Sequence, residues 1–426
     1  MNKHLSILKN NFARIKNFSL YLSAAIISGV LNILFNPFLA ANLSSLDYSI
    51  IGYYSSFAAL FTPILNFSLI SFYVRKYFKI PEEKRQLTLD TIITALLVWG
   101  VVSSLLILAG FFIYCRLNKV ELPFFPFALM SVCQLFFNNF LLLYQVNCRM
   151  HSEAKRYFKI SMTASLLTIF FSIILVIVFK FGAIGRMAAL LSSSFVVGLL
   201  SLKKTLSKLR CDWKILKEAV SFGWPVSTTY IIQYFLVGID LALLEPRNDI
   251  HSMGLYAIAI SISGYLSLFY TALAQTFEPD IYKAVAQYDY RRIGKIVMLI
   301  VSILAAVVLV FIVLAKPVIA FLTANRYTDA YHFSRILSIG VISSYLMAAI
   351  EGIINAFGFT KICLTIKIIS SVIAVFLYIY LINLYGFYGA AWGRVIAPLL
   401  VLITGCVSLI LLKNRIKAMR YAEGKN

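Results

Sequence analysis

The sequence predicts an all-α integral membrane protein of about 12 spanning helices, arranged as two six-helix lobes related by a parallel internal repeat. Three observations predict it. Hydrophobic residues make up 61% of the 426 residues and the mean hydropathy is +0.86, beyond what soluble domains show. Apolar stretches of about 20 residues, the length of a helix across a hydrocarbon core, follow one another along nearly the whole chain. The second half also echoes the first.

The expected spans are 18–41, 48–72, 88–114, 122–146, 158–180 and 183–202, then 221–243, 254–276, 294–315, 333–357, 362–384 and 387–412. The short connections leave no room for a soluble domain. Residues 1–202 form the expected N-terminal lobe, 203–218 a basic linker, and 219–426 the C-terminal lobe with its tail. The first span follows a basic stretch but is too long for a signal-peptide core, so it reads as an uncleaved anchor.

Charge sets the expected orientation. With the N-terminus inside, the segments around Lys9, Arg14 and Lys16, Arg75 to Arg85, Arg149 to Lys159, Lys203 to Lys217 and Lys283 to Lys295 lie inside. So does the tail with Lys413, Arg415, Lys417, Arg420 and Lys425, whereas the outer connections carry few basic residues. This bias places both termini in the cytoplasm, and the net charge of +22 is mainly a topology signal. A basic surface also attracts anionic lipid headgroups, and nothing supports nucleic-acid binding. The six cysteines are scattered without metal-site spacing, and the four histidines sit in loops or at helix ends, so no cofactor is expected. No phosphate-binding loop or hydrolase motif is present, which points away from an enzyme or an ATP-driven pump.

The repeat rests on two matches. Phe-Gly-Ala-Ile-Gly from Phe181 recurs as Tyr-Gly-Phe-Tyr-Gly from Tyr385, an offset of 204 residues. A weaker match joins the segments from Asp47 and His251 at the same offset.

Polar side chains recur on one face of several spans. The first aligns Tyr21, Ser28 and Asn32; the second Ser55, Thr62, Asn66 and Tyr73; the fourth Gln134, Asn138, Gln145 and Arg149. The seventh aligns Thr229, Gln233 and Asp240, the tenth Ser344, Glu351 and Asn355, and the eleventh Lys367, Ser371 and Tyr378. Lipid does not tolerate such faces, so they turn toward protein or water, and a hydrated path between the lobes accounts for them together. The fifth span, with Ser161, Ser165, Thr168 and Ser172, reads instead as helix packing. Depth along the helices pairs Glu351 with Lys367 and Asp240 with Arg394; holding helices in register and serving transport fit these pairs equally. Pro37, Pro63 and Pro225 suggest bends in the first, second and seventh spans, and Pro317 and Pro398 in two others.

Three segments carry a family resemblance. They are Ala219 to Asp240, with its Phe-Gly-Trp-Pro start, Ala274 to Val285, and the turns at Gly182 and Gly386. The chain resembles the Wzx-type flippases of O-antigen or capsule repeat units, in the superfamily that includes the MATE multidrug exporters. That resemblance implies an undecaprenyl-pyrophosphate-linked oligosaccharide as substrate, translocated by alternating access in the inner membrane. It also implies H+ or Na+ as a coupling ion, and a polysaccharide polymerase and chain-length regulator as partners. Under it, Arg75 and Arg149 are candidates to capture the pyrophosphate or are ordinary positive-inside anchors. Asn66, Asn138, Gln145, Gln233, Lys367 and Tyr378 would line the path, and Asp240 and Glu351 would couple an ion. The family often has a basic residue after the seventh-span acid, where this chain has Leu241, so Arg394 is the expected partner of Asp240 instead. The alternatives are a MATE-like drug exporter and, further off, a membrane polymerase or acyltransferase.

Overall fold

The computed structural model describes residues 2–77, 79–357 and 359–412. The basic tail from Lys413 onward lies outside the described residues. Helices in order are α1 (Asn2–Asn42), α2 (Ser45–Ser56), α3 (Ala58–Asn66), α4 (Leu69–Tyr77), α5 (Glu82–Leu117), α6 (Phe127–Met150), α7 (Ala154–Ser172) and α8 (Gly182–Thr205). They continue with α9 (Trp213–Val237), α10 (Asp240–Leu244), α11 (Ile250–Ala286), α12 (Tyr290–Leu322), α13 (Ala330–Ala356), α14 (Thr360–Tyr385) and α15 (Phe387–Leu411). No strand occurs among the described residues. Nine helices are long and apolar enough to cross a membrane, and two bent pairs bring the number to eleven among the described residues. The chain is a multi-pass membrane protein.

Contacts divide it into two units, Met1–Ile231 and Ile232–Asn426. The division falls inside α9, whose helix begins eight residues before the expected span.

Each unit has its own packing order. In the first, α6 packs on α8, α7 on α8, α1 on α7, and α5 on α6. In the second, α13 packs on α15, α14 on α15, α10 on α14, and α12 on α13. Counted as spans, these are the same pairings, as an internal repeat requires. The turns behind the matching motifs are also alike: Gly182 and Gly386 have φ of +56° and +58°, a conformation that side chains resist. Each turn is then tied by a different residue. Asp47 accepts from the Ala183 N–H at 2.6 Å, whereas Arg247 donates to the Ile382 carbonyl.

The first unit is packed by aromatic side chains. Tyr53, Tyr54 and Phe57 meet Phe111 of α5, and Phe111 meets Phe124 just before α6. Rings in edge and offset contact bury a large apolar area and fix the angle at which helices meet.

Two of the spans expected to bend, the second and the seventh, are broken outright. The second divides into α2–α3 and α4, bent by 57°, and the seventh into α9 and α10, bent by 46°. Pro63 precedes the first break by one turn, but Pro225 lies inside α9 well before the second, which falls at Gly238. Pro37 lies within the continuous helix α1. A proline weakens one helical hydrogen bond, and neighbouring helices decide whether the chain bends there.

Candidate functional site

The break between α3 and α4 exposes backbone inside an apolar unit, which is tolerated only where protein or water satisfies it. Phe67 and Ser68 are both left-handed, with φ of 46° and 51°, a costly state for side-chain-bearing residues. Their surroundings hold them there. The Trp99 indole N–H donates to the Ile64 carbonyl at 2.8 Å, and Asn66 Oδ1 accepts from the Ser68 N–H at 2.9 Å. Ser68 Oγ meets Ser227 Oγ of α9 at 2.9 Å. A Cβ on Gly223 would stand 2.3 Å from the Phe67 carbonyl oxygen, so only glycine admits this approach. Asn66, expected on the polar path, thus shapes the break itself.

Beyond the break, α4 ends beside α6. Tyr73 donates to Asn147 Oδ1 at 2.7 Å, and the Tyr77 and His151 rings meet edge-on. Arg75 and Arg149 occupy these two adjoining ends and are both exposed. Arg75 lies over the Phe222 ring at 4.8 Å. Farther along α6 the polar stripe turns toward helices rather than an open face. Gln145 donates to Ser161 of α7 at 3.0 Å and Gln134 to Ser194 of α8 at 3.4 Å, while Asn138 is half-buried. The serine stripe of α7 completes this packing, with Thr168 donating to Ser193 of α8 at 2.9 Å.

The second unit holds two buried ion pairs. Asp240 opens α10 just past the Gly238 break, with its side chain fully buried. Arg394 of α15 reaches it through Nε and also through Nη2 at 3.0 Å, and the Tyr256 hydroxyl of α11 donates to Oδ2 at 2.6 Å. Tyr256 is itself wedged against Phe333 and Phe387. Both carboxylate oxygens are therefore occupied by donors from two other helices, the bidentate form that fixes orientation as well as charge.

In the second pair, Lys367 Nζ of α14 lies 3.0 Å from Glu351 Oε2 of α13 and 3.1 Å from Gln233 Oε1 of α9. The lysine side chain is 5% exposed and the glutamate 16%, and Glu351 Oε1 is buried without a hydrogen-bond partner. Gln233, expected as a path residue, serves here as a second acceptor for the lysine. Tyr378, also expected on the path, is fully buried, and its hydroxyl donates to the Leu236 carbonyl at 3.1 Å. This bond ties α14 to α9.

A profile of the family described as "Polysaccharide biosynthesis protein" matches residues 38–332. The chain belongs to this family. Within this polysaccharide biosynthesis family, the chain is 21% identical over 371 residues to "Lsg locus putative protein 1" of Haemophilus influenzae, covering 84% of this chain and 89% of that protein. Two solved structures share the fold. An inward-facing multidrug resistance MATE family transporter of the MOP superfamily aligns over 94% of this chain and 98% of its own, with a TM-score of 0.67 at 15% identity. The lipid II flippase MurJ, in an inward closed conformation, aligns over 92% and 87%, with a TM-score of 0.67 at 17% identity.

Several residues that build this family member's polar stations escape the sequence. Tyr256 lies one helix beyond Asp240 and belongs to no polar stripe; the only signal is that a buried carboxylate needs more donors than one guanidinium supplies. Trp99 and Ser227 satisfy a break that hydropathy does not reveal. Among the described residues, no three His, Cys, Asp or Glu side chains converge as a metal site would require.

Proposed function

We propose that this chain translocates undecaprenyl-pyrophosphate-linked oligosaccharide repeat units from the cytoplasmic to the outer leaflet of the bacterial inner membrane, by alternating access, for O-antigen, capsule or exopolysaccharide assembly. Both termini are cytoplasmic in this reading. The adjoining ends of α4 and α6 then face the leaflet where the substrate is made, and the exposed Arg75 and Arg149 offer its pyrophosphate two permanent cations. A polysaccharide polymerase and a chain-length regulator would act on the product outside. Asp240 and Glu351 are the carboxylates through which an H+ or Na+ gradient would act.

One observation favours this reading over a MATE-like exporter of cationic drugs. Asp240 and Glu351, two acids within the helix packing of the second unit, are each already matched by a cation, Arg394 and Lys367. A site for organic cations needs a carboxylate that is free to receive them. The polymerase and acyltransferase alternatives need room for a catalytic loop outside the membrane. The stretch from about Lys316 to Tyr331, expected to be the longest outside, shortens to 323–329 because α12 continues through Lys316 and Pro317, and the connection between α5 and α6 covers only 118–126.

The test is leaflet-resolved detection of undecaprenyl-linked repeat units in a deletion strain and after re-expression. Cytoplasmic-leaflet accumulation relieved by re-expression supports the proposal. Normal glycolipid export accompanied by new drug sensitivity favours the exporter.

A further inference from the structure

The faces of α14 and α15 that carry no ion pair enclose a shallow groove of about 360 Å³, at the small end of the roughly 300–1,000 Å³ typical of ligand sites. We propose that this groove seats a short stretch, the phosphate-proximal isoprene units, of the chain of a polyprenyl-phosphate lipid. The choice of lipid rests on the function proposed above; the groove and its chemistry do not.

The groove is open along an exposed apolar rim. Ile369, Ile403 and Val407 form its rim and are 49%, 59% and 51% exposed, while Ile366 at its floor is 5% exposed. The α14 wall is built by Ile362, Ile366 and Ile369, spaced four and three apart, which puts them on one helical face. Ile403 and Val407 form the facing ridge of α15.

Three hydroxyls also line the groove, and all are used internally. Thr365 donates to the Lys361 carbonyl at 3.1 Å, Thr404 to the Leu400 carbonyl at 2.7 Å, and Ser408 to the Thr404 carbonyl at 2.8 Å. Sugars and headgroups find no waiting donor there, and hydrocarbon suffers no polar penalty. The walls are isoleucine, valine and threonine, whose branched Cβ atoms are stiff in a helix, so the groove is ribbed and preformed. A methyl-branched chain with regular double bonds loses less freedom against such a wall than a flexible saturated chain.

Charge indicates the polarity of the occupant. At the α14 start the groove closes on a cluster of Tyr288, Phe359, Ile362, Leu409 and Leu412. Lys361 is exposed at that end. An anionic phosphate beside it, with the tail running along the groove, fits both this cation and the apolar walls.

The test places a benzophenone amino acid at Ile403 of the full-length protein in phosphatidylcholine nanodiscs, with undecaprenyl phosphate or dioleoyl phosphatidic acid as probe. The expected adduct yield with undecaprenyl phosphate exceeds that with phosphatidic acid by about fivefold at equal mole fraction, and Val407→Trp lowers it by a similar factor. The same label at Val102 of α5, also exposed, should show neither effect. Equal labelling by the two probes overturns the proposal, as does a yield unchanged by Val407→Trp. Should that variant fold poorly, Ile369→Ala must lower the yield in its place. The assay contains no transport step. Lost labelling alongside positive leaflet transport removes the groove alone, whereas labelling without transport removes the translocation reading alone.

Discussion

The two ion pairs of the second unit have the same charges and opposite construction. Around Asp240 every acceptor has a donor: Arg394 engages both oxygens and Tyr256 caps one of them, with no exposure of the carboxylate. Around Glu351 one oxygen is paired, the other has no partner, and Lys367 divides its ammonium between the acid and an amide. A saturated pair loses a great deal when opened and gains little from any newcomer. An unsaturated pair can exchange a partner, take up a proton or release its lysine at lower cost. On this contrast we propose that Asp240–Arg394 holds helices and that Glu351–Lys367 is the place to look for a transport step.

The largest expected effect breaks the first pair. Asp240→Ala leaves Arg394 uncompensated and should cost about 3–5 kcal/mol in a denaturant or thermal unfolding measurement. Asp240→Leu combined with Arg394→Met should recover most of it, since the cost lies in the orphaned charge. If the single and double variants are equally unstable, the lock is misassigned.

Next comes Glu351→Gln, which keeps the shape and removes the charge. It should slow translocation on the order of tenfold, the equivalent of about 1.4 kcal/mol, while the unfolding midpoint moves far less than in Asp240→Ala. The swap of Glu351→Lys with Lys367→Glu should restore part of the rate. A Glu351→Gln protein as unstable as Asp240→Ala would erase the contrast between the pairs.

A smaller effect is expected at the helix break of the first unit. Trp99→Phe leaves the Ile64 carbonyl without its indole donor and should cost about 1–3 kcal/mol, readable as faster amide exchange from α3 to α4. The smallest is at a carboxylate outside the membrane. Partial burial pushes the Asp249 carboxyl up, but hydrogen bonds from Ser252 outweigh it and hold it below its ordinary value. Its stabilisation of the α11 start is present at neutral pH and is lost only as acid protonates it, below the usual carboxylate range. Asp249→Ala should cost about 1 kcal/mol at pH 7, seen as fraying of the first turn, and progressively less as acid protonates the carboxyl.

Hydropathy made the spans legible because lipid permits only one answer for a long apolar run. Depth made the ion pairs legible, because a buried charge must find a partner on a neighbouring helix. The repeat could be read from Gly182 and Gly386, since a left-handed turn restricts the residue type. The prolines suggest bends in the second and seventh spans, but the position of the break at Phe67 could not be read, because it depends on Trp99, Ser227 and Gly223 elsewhere in the chain. Gln145 and Tyr378 show the limit of a polar stripe: periodicity gives the face, but the neighbouring helix decides whether that face meets water, Ser161 or the Leu236 carbonyl.

The most direct measurement reconstitutes the purified full-length chain into liposomes that carry undecaprenyl-pyrophosphate-linked oligosaccharide in both leaflets, with a sugar-modifying enzyme added outside. Translocation predicts that the whole glycolipid population becomes accessible, slowly with Glu351→Gln and rapidly with the native chain. Accessibility limited to the outer-leaflet share, in liposomes shown to contain folded protein, would contradict the account.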